Sequence, residues 1–177
     1  MIEQTMTRMK SLRLPGMHAA YELLLQDKKI IKLSNDEMIT YLIDAEYEDR
    51  KGRRINRLTK KANFKILAAL GDIETSTSRG FEKQTLMRLA DLNWLRHGDN
   101  ILITGATGSG KTFITNAIGH TACIGGFTVG YFMVGKLLRK HKEAEVEMTA
   151  TKLLRSLEKI DLLILDDFGL DPLNKAA

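Results

Sequence analysis

The sequence has 177 residues, 44% of them hydrophobic and 28% charged, which suits one ordinary globular domain with a small helical addition. No apolar run approaches the ~20 residues needed to cross a bilayer, and the N-terminus lacks the layout of a signal peptide. The single cysteine, Cys123, excludes an internal disulfide and favours a reducing cytoplasm, while the net charge of +5 favours a polyanionic partner.

The N-terminal part of the chain is predicted to be helical. Pro15 suits the first turn of a helix, where its missing N–H group costs nothing. Ser34 and Glu37 form a capping box, in which each side chain satisfies the other residue's exposed amide, so a second helix is expected to start there.

The clearest connection in the chain is the polar segment 75–80. We therefore expect a helical N-terminal region over residues 1–80 and a second domain over 81–177. The second domain is predicted to begin with a helix from about Lys83 to Arg96, capped at its C-terminus by Gly98.

A strongly basic stretch lies in the predicted helical region, with eight basic residues and no acidic one. Its members are Arg50, Lys51, Arg53, Arg54, Arg57, Lys60, Lys61 and Lys65. Such a stretch predicts contact with the phosphate backbone of DNA, which supplies affinity without sequence choice. The alternative is a solvated helical face whose charge is neutralised by the acidic residues just before it. Those acidic residues are Asp44, Glu46, Glu48 and Asp49.

After Asn100 the pattern changes to strands that alternate with helices. Strands are predicted at 101–104, 127–133 and 162–165, and helices at 112–123, 136–142 and 149–159. This alternation indicates an α/β fold with a parallel sheet buried on both faces.

A complete P-loop pattern joins the first predicted strand to the following helix. Its residues are Gly105, Ala106, Thr107, Gly108, Ser109, Gly110, Lys111 and Thr112. Glycines let successive backbone N–H groups point at phosphate oxygens, and the helix adds its positive N-terminal end. Lys111 is expected to reach the β- and γ-phosphates, and the Thr112 hydroxyl to coordinate Mg²⁺. The pattern therefore predicts a nucleoside triphosphate site, for ATP with Mg²⁺.

A matching Walker B motif follows the last predicted strand. Asp166 stands at the carboxyl end of an aliphatic run, where a parallel sheet presents its ligand-binding edge. It is expected to hold Mg²⁺ directly or through water, while Asp167 orients the attacking water. The alternative for this pair, a solvated strand end, loses weight because the P-loop precedes it.

These motifs, with Phe168-Gly169-Leu170 after them, resemble the IstB-like ATP-binding family of insertion-sequence transposition helpers. The segments Leu12–Met17, Leu42–Tyr47 and Arg53–Leu58 resemble the helical N-terminal region of that family. The resemblance implies an AAA+ P-loop core of the αβα type after the helical region. It also implies a bacterial ATPase that assembles with itself on duplex DNA in the presence of ATP and engages a transposase.

Two alternatives share this core: a helicase loader of the DnaC type, and a nucleotide-binding remnant that does not hydrolyse ATP. The sequence ends at Ala177, shortly after Asp167. We therefore expect a truncated gene product or a fragment, without the sensor and arginine-finger residues of the family. The family resemblance implies hydrolysis of ATP, whereas the interpretation as a remnant implies none.

Overall fold

The computed structural model describes residues 1–26, 33–74 and 82–169. The chain divides into two compact units, Met1–Asn56 and Arg57–Ala177, and the division falls inside one long helix. The segment 75–80, on which the expected domain boundary rests, lies outside the described residues, so that boundary stays a prediction. None of the described helices is both long and apolar enough to span a bilayer.

The N-terminal unit is helical, as predicted. Helix α1 spans Ile2–Ser11, α2 spans Pro15–Gln26 and α3 spans Asn35–Ala62, so that α3 continues into the second unit. The capping box at the start of α3 is confirmed. The Ser34 backbone N–H donates to Glu37 Oε2 at 2.7 Å, and the Glu37 N–H donates to Ser34 Oγ at 3.3 Å.

Within this unit, Glu46 of α3 caps the N-terminus of α2. Its Oε2 accepts hydrogen bonds from the backbone N–H groups of Gly16, at 2.9 Å, and Met17, at 3.2 Å. These are two of the donors that a helix leaves without an internal acceptor. Burial of Glu46 raises its pKa, but the hydrogen bonds from Arg50 and from the two amides outweigh burial and lower that pKa below its ordinary value. The carboxylate is therefore charged at neutral pH and ties α2 to α3.

Gly16 lies so close to α3 that it leaves no room for a side chain. A Cβ atom there would lie 2.4 Å from the Ala45 carbonyl oxygen and 2.9 Å from the Glu46 Cα. Both atoms belong to helix backbone, which cannot move aside as a flexible side chain would. The segments Leu12–Met17 and Leu42–Tyr47 therefore pack directly against each other.

We expect Gly16→Ala to destabilise the N-terminal unit by about 1–3 kcal/mol, because the added methyl group forces α2 away from α3. Gly52→Ala is the matched control, since a Cβ atom at Gly52 meets nothing within 4 Å. Alanine in the middle of a helix should stabilise α3 by about 1 kcal/mol. Thermal unfolding followed by far-ultraviolet circular dichroism measures both changes. Equal effects of the two substitutions would contradict the close approach at Gly16.

The second unit contains the end of α3 and an α/β arrangement. Its further elements are a short 3₁₀ helix at Leu70–Asp72, α4 (Lys83–Asp91), α5 (Asn93–His97), α6 (Lys111–Ile124), β1 (Val129–Met133), α7 (Val134–Val146), α8 (Ala150–Leu157) and β2 (Leu162–Asp166). Strands β1 and β2 pair in parallel, with Val129 opposite Leu162 and Met133 opposite Asp166. Parallel strands need a long crossover connection, which α7 and α8 supply here. The predicted α/β class, with a parallel sheet after N-terminal helices, is confirmed.

The core of this unit joins the end of α3 to α6 and to both strands. Its buried residues are Leu58, Ala62, Leu92, Ala122, Cys123, Val129, Tyr131 and Ile164. Leu58 and Ala62 come from the basic segment of α3, so that end of the helix is fixed to the α/β part. Cys123 is fully buried, which agrees with a structural role.

The single helix predicted from Lys83 to Arg96 is wrong, because the structure divides it at Leu92. This residue is buried and has φ 59°, a left-handed backbone that ends α4 and starts α5. Side chains of α5 then satisfy carbonyl groups at the end of α4. Trp94 Nε1 donates to the Leu89 oxygen and Arg96 Nη1 to the Asp91 oxygen, both at 3.1 Å. The predicted cap at Gly98 is confirmed, with φ 78°.

Two expectations about the sheet also need correction. Residues 101–104 form no strand in the described part of the chain, where β1 and β2 pair with each other alone. A strand is defined by ladder bonds to a neighbour, and Leu102 is instead 85% exposed. The sheet is also not buried on both faces. Ile164 faces the core, whereas Leu163 and Leu165, on the other face of β2, are each 40% exposed.

Candidate nucleotide-binding site

The glycine-rich loop, residues 105–110, turns directly into the N-terminus of α6. Gly108 and Gly110 have φ values of 78° and 90°, which residues with a side chain rarely adopt, and Gly110 is the N-cap of the helix. The Ser109 backbone N–H donates to the Ala106 oxygen at 3.2 Å, which closes the turn before the helix. The first N–H groups of a helix lack internal acceptors and form a ready site for an anion.

The side chain of Lys111 folds back over this loop. Its Nζ donates to the carbonyl oxygens of Gly105, at 2.9 Å, and Ala106, at 2.8 Å. The loop backbone and a positive charge therefore lie together, as the P-loop pattern predicts. An ammonium group held by two neutral carbonyl oxygens can exchange them for phosphate oxygens, which bear a full negative charge.

The two predicted metal-binding residues, Thr112 and Asp166, are in contact. The Thr112 hydroxyl donates to Asp166 Oδ2 at 2.9 Å, although 54 residues separate the two in the sequence. Helix α6 packs on β2, which brings its first turn to the carboxyl end of that strand. Because the hydroxyl uses its proton in this bond, the lone pairs of its oxygen remain for a cation.

The donor chemistry of this pair fits Mg²⁺. Mg²⁺ prefers oxygen ligands and is usually held by one or two carboxylates together with substrate phosphates and water. One hydroxyl and one carboxylate beside a phosphate-binding loop supply that set. Among the described residues, no group of three or more His, Cys, Asp or Glu side chains could enclose a metal without such help.

Tyr131 of β1 is also part of this site, although it is not among the residues predicted from the sequence. Its hydroxyl donates to Asp166 Oδ2 at 2.5 Å, and the Asp167 backbone N–H donates to Asp166 Oδ1 at 2.9 Å. With Thr112, these groups give the Asp166 carboxylate three donors. The only signal for Tyr131 in the sequence is the alternation of side chains along β1, which places Val129, Tyr131 and Met133 on one face of the strand. Whether that face meets Asp166 depends on strand register.

The charge states of these groups follow from their surroundings. Burial raises the pKa of Asp166, but the hydrogen bonds from Tyr131 and Thr112 outweigh it, and the positive charge of Lys65 helps to lower that pKa below its ordinary value. Burial, followed by the hydrogen bond to Asp166, raises the pKa of Tyr131 well above its ordinary value. At neutral pH Asp166 is thus an anion and Tyr131 a protonated donor.

Asp167, the predicted water-orienting residue, lies beside this carboxylate. Its backbone has φ 59° and its side chain is exposed. The left-handed backbone turns the chain directly after β2, and it is in this turn that the Asp167 N–H reaches Asp166. An exposed carboxylate in this position can accept a hydrogen bond from a water molecule near the loop.

The basic stretch is exposed at all eight positions, but its N-terminal cations have acidic partners. Arg50 Nε lies 2.7 Å from Glu46 Oε1, Arg53 Nε lies 2.7 Å from Asp49 Oδ2, and Lys51 Nζ lies 3.4 Å from Glu48 Oε1. For this end of the stretch, the alternative of a neutralised helical face therefore describes the structure better. The reason is helical spacing, because residues three or four positions apart lie side by side.

The C-terminal cations of the stretch differ. Among the described residues, no acidic side chain lies within ion-pair distance of Arg57, Lys60 or Lys61. Lys65 follows the end of α3, and its charge acts on Asp166. Contact with DNA remains a prediction for all eight residues, and these C-terminal positions have the charge most available for it.

Comparison with known proteins gives a consistent set of relatives. Residues 7–177 match the family described as IstB-like ATP binding protein. The insertion sequence IS1162 putative ATP-binding protein of Pseudomonas fluorescens is 35% identical, over 100% of this chain and 77% of the relative. The putative insertion sequence ATP-binding protein y4pL of Sinorhizobium fredii is 31% identical, over 98% and 71%. An insertion sequence IS21-like putative ATP-binding protein of Bacteroides fragilis is 26% identical, over 93% and 82%.

Proposed function

The chain belongs to the IstB-like ATP binding protein family, and we propose that it serves insertion-sequence transposition as an ATP-dependent DNA-binding protein. The observation that carries this proposal is the contact between Thr112 and Asp166 directly beside the loop that holds Lys111. Three groups needed to bind a nucleoside triphosphate therefore lie together. They are backbone N–H groups that can donate to phosphate oxygens, the positive side chain of Lys111, and the oxygen atoms of Thr112 and Asp166 that can bind a cation.

The nucleotide site would act mainly by electrostatics and positioning. Lys111 would leave the two loop carbonyls and bind the β- and γ-phosphates, while the N–H groups of residues 108–112 surround the phosphate oxygens. Mg²⁺, held by Thr112 and Asp166, would supply charge neutralisation at the phosphates when bound. Asp167 would orient a water molecule for hydrolysis, so the ATPase activity is part of the proposal.

Duplex DNA is the proposed polyanionic partner, and the exposed cations at the end of α3 are the proposed contacts. Arg57, Lys60 and Lys61 are exposed, whereas the adjacent Leu58 and Ala62 are buried in the core. The buried residues therefore fix this segment of α3 to the core, while its three positive charges face the solvent. Phosphate contacts of this kind position a protein on DNA without reading its sequence.

Phe64, two residues after the end of α3, contacts the P-loop helix. A Cβ atom at Gly119 of α6 would lie 2.6 Å from Phe64 Cε1, so the Phe64 ring lies directly on that helix. A displacement of α6 when nucleotide binds would therefore be transmitted to the end of α3.

The proposal also includes self-assembly on DNA, engagement of a transposase and a cytoplasmic location. The insertion-sequence names of the relatives support these parts.

Fluorescence anisotropy with labelled duplex DNA, in the presence of ATP and Mg²⁺ and at several salt concentrations, tests the DNA-binding part. We expect the triple variant Arg57→Gln, Lys60→Gln, Lys61→Gln to bind DNA at least about tenfold more weakly at low salt. The slope of log affinity against log salt should fall by up to about 0.9 for each DNA phosphate that the variant no longer neutralises.

The matched control is the triple variant Lys136→Gln, Lys140→Gln, Lys142→Gln, which removes the same charge from exposed positions of α7. It should retain most of the affinity. If both triple variants lose affinity equally, only the net charge matters and the assignment to the end of α3 is wrong.

A further inference from the structure

Tyr131 is buried in the core, yet its hydroxyl group reaches the nucleotide site. The residue is 6% exposed, and its ring packs among the core residues of the second unit. A buried hydroxyl group is costly unless it is hydrogen-bonded, and the partner here is the carboxylate of Asp166 at 2.5 Å. A phenylalanine would fill the same space in the core without making this contact.

The strand register explains how the contact arises. Tyr131 lies opposite Ile164 and Met133 lies opposite Asp166. Side chains alternate along a strand, so Tyr131 and Asp166 share one face of the sheet as diagonal neighbours. With neighbouring strands about 4.8 Å apart and a rise of about 3.3 Å per residue, the diagonal is about 8 Å between Cα atoms. A tyrosine can span that distance to a short carboxylate, whereas a serine or threonine could not.

We propose that Tyr131 is a positioning residue, whose hydroxyl group holds the Asp166 carboxylate in the orientation that presents Oδ2 to Thr112. The inference rests on the proposed function, because it states that Tyr131 contributes to the part of the nucleotide affinity that depends on Mg²⁺. A carboxylate offers about four acceptor positions, and the protein fills three of them from three directions. Without the Tyr131 hydroxyl, Oδ2 has Thr112 as its remaining protein donor, and the carboxylate can rotate away.

Outer partners of metal ligands affect metal binding by fixing the ligand in place. The role of Tyr131 therefore differs from packing in one measurable respect. Packing supports nucleotide binding with or without Mg²⁺, whereas orientation of Asp166 matters only when Mg²⁺ is bound. The quantity to measure is the ratio of the nucleotide dissociation constant in EDTA to that in Mg²⁺.

Binding of a fluorescent ADP analogue to the full chain, in Mg²⁺ and in EDTA, tests the proposal. We expect Tyr131→Phe to lower the ratio by about tenfold and to leave the dissociation constant in EDTA nearly unchanged. Thr121→Val is the matched control. It removes a hydroxyl group that donates to the Ala117 oxygen at 2.9 Å inside α6, and it should leave the ratio unchanged.

A double-mutant cycle with Asp166→Asn identifies the group through which Tyr131 acts. In the Asp166→Asn background, Tyr131→Phe should lower the ratio no further. If Tyr131→Phe weakens binding equally in Mg²⁺ and in EDTA, Tyr131 is a packing residue and the proposal is overturned. If the unchanged chain itself shows no effect of Mg²⁺ on nucleotide affinity, both the proposed function and this inference are overturned.

A measurement on the unchanged sequence keeps the proposal testable if Tyr131→Phe fails to fold. The chain has four tyrosines, and labelling their Cζ atoms with carbon-13 gives one NMR signal for each. Addition of Mg²⁺ to the ADP complex should shift the signal of Tyr131 and leave those of Tyr21, Tyr41 and Tyr47 in place. A Tyr131 signal that does not respond while Mg²⁺ tightens ADP binding would overturn the inference alone.

Discussion

We expect Lys111→Ala to lower the affinity for ATP with Mg²⁺ by about 100-fold or more. A hydrogen bond to a charged group contributes about 1.5–3 kcal/mol, and Lys111 would make at least two to phosphate oxygens. With about 1.4 kcal/mol per factor of ten, the loss of both accounts for that change. The fold should survive, because the contacts that Lys111 makes with the protein are to the carbonyl oxygens of its own loop. Isothermal titration calorimetry with ATP measures the affinity.

Lys140→Ala is the matched control for this substitution. Lys140 is an exposed lysine of α7, so the substitution removes the same charge away from the loop. It should leave ATP affinity within about twofold, since an exposed charge that makes no direct contact with the nucleotide is largely screened by water and salt. An unchanged affinity in Lys111→Ala would show that ATP binds elsewhere.

Asp166→Asn should remove most of the effect of Mg²⁺ on nucleotide binding, a loss of about 100-fold in the metal-dependent part. Asparagine keeps the size of the side chain but has no negative charge to attract a cation. Its amide group also offers one acceptor oxygen, whereas both oxygens of the carboxylate now accept: Oδ2 from Thr112 and Tyr131, and Oδ1 from the Asp167 backbone N–H. Replacement of the groups that support a metal ligand commonly costs 10–100-fold in metal affinity or activity, so we expect about 100-fold for the ligand itself. Titration of the ADP complex with Mg²⁺ measures the change.

Asp167→Asn separates the two neighbouring carboxylates. Its backbone N–H still donates to Asp166, so Mg²⁺-dependent binding should be retained. Any ATP hydrolysis by the assembled protein should fall, because the group proposed to orient water is lost. The reverse pattern, with Mg²⁺ dependence lost in Asp167→Asn and kept in Asp166→Asn, would contradict the assigned roles.

The sequence alone suggested the residues of the candidate nucleotide site because the chemistry of a P-loop depends on consecutive residues. A P-loop is one continuous turn, so the order of its glycines, Lys111 and Thr112 already describes most of its geometry. Asp166 could be added because a short aliphatic run ending in a carboxylate indicates the edge of a parallel sheet. The structure brings these residues together, as the pattern indicated.

The contacts that the sequence did not predict all depend on packing between distant segments. Tyr131 reaches Asp166 only through the register of β1 on β2, and periodicity alone does not determine a register. Glu46 looked like one of several acids on a helix, yet it caps α2 from 30 residues away. The ion pairs of Arg50 and Arg53 follow from helical spacing and could have been expected more firmly from the sequence.

The errors at 92 and at 101–104 have physical causes of the same kind. Burial of Leu92 in the core, together with the bonds that Trp94 and Arg96 make to carbonyl groups, stabilises a left-handed residue within an otherwise good helical pattern. The apolar segment 101–104 has the composition of a strand, but a strand also needs a neighbour for its ladder bonds. A local sequence pattern shows neither the tertiary contacts around Leu92 nor the presence of a neighbouring strand for residues 101–104.

The central claim is that the P-loop site is coupled to DNA binding, and duplex-DNA affinity with and without ATP and Mg²⁺ tests it most directly. The measurement is made by fluorescence anisotropy at two salt concentrations, on this chain and on Lys111→Ala. We expect nucleotide to strengthen a salt-sensitive binding and Lys111→Ala to abolish the gain. A folded sample that binds DNA equally with and without nucleotide, or does not bind it at all, would contradict the claim.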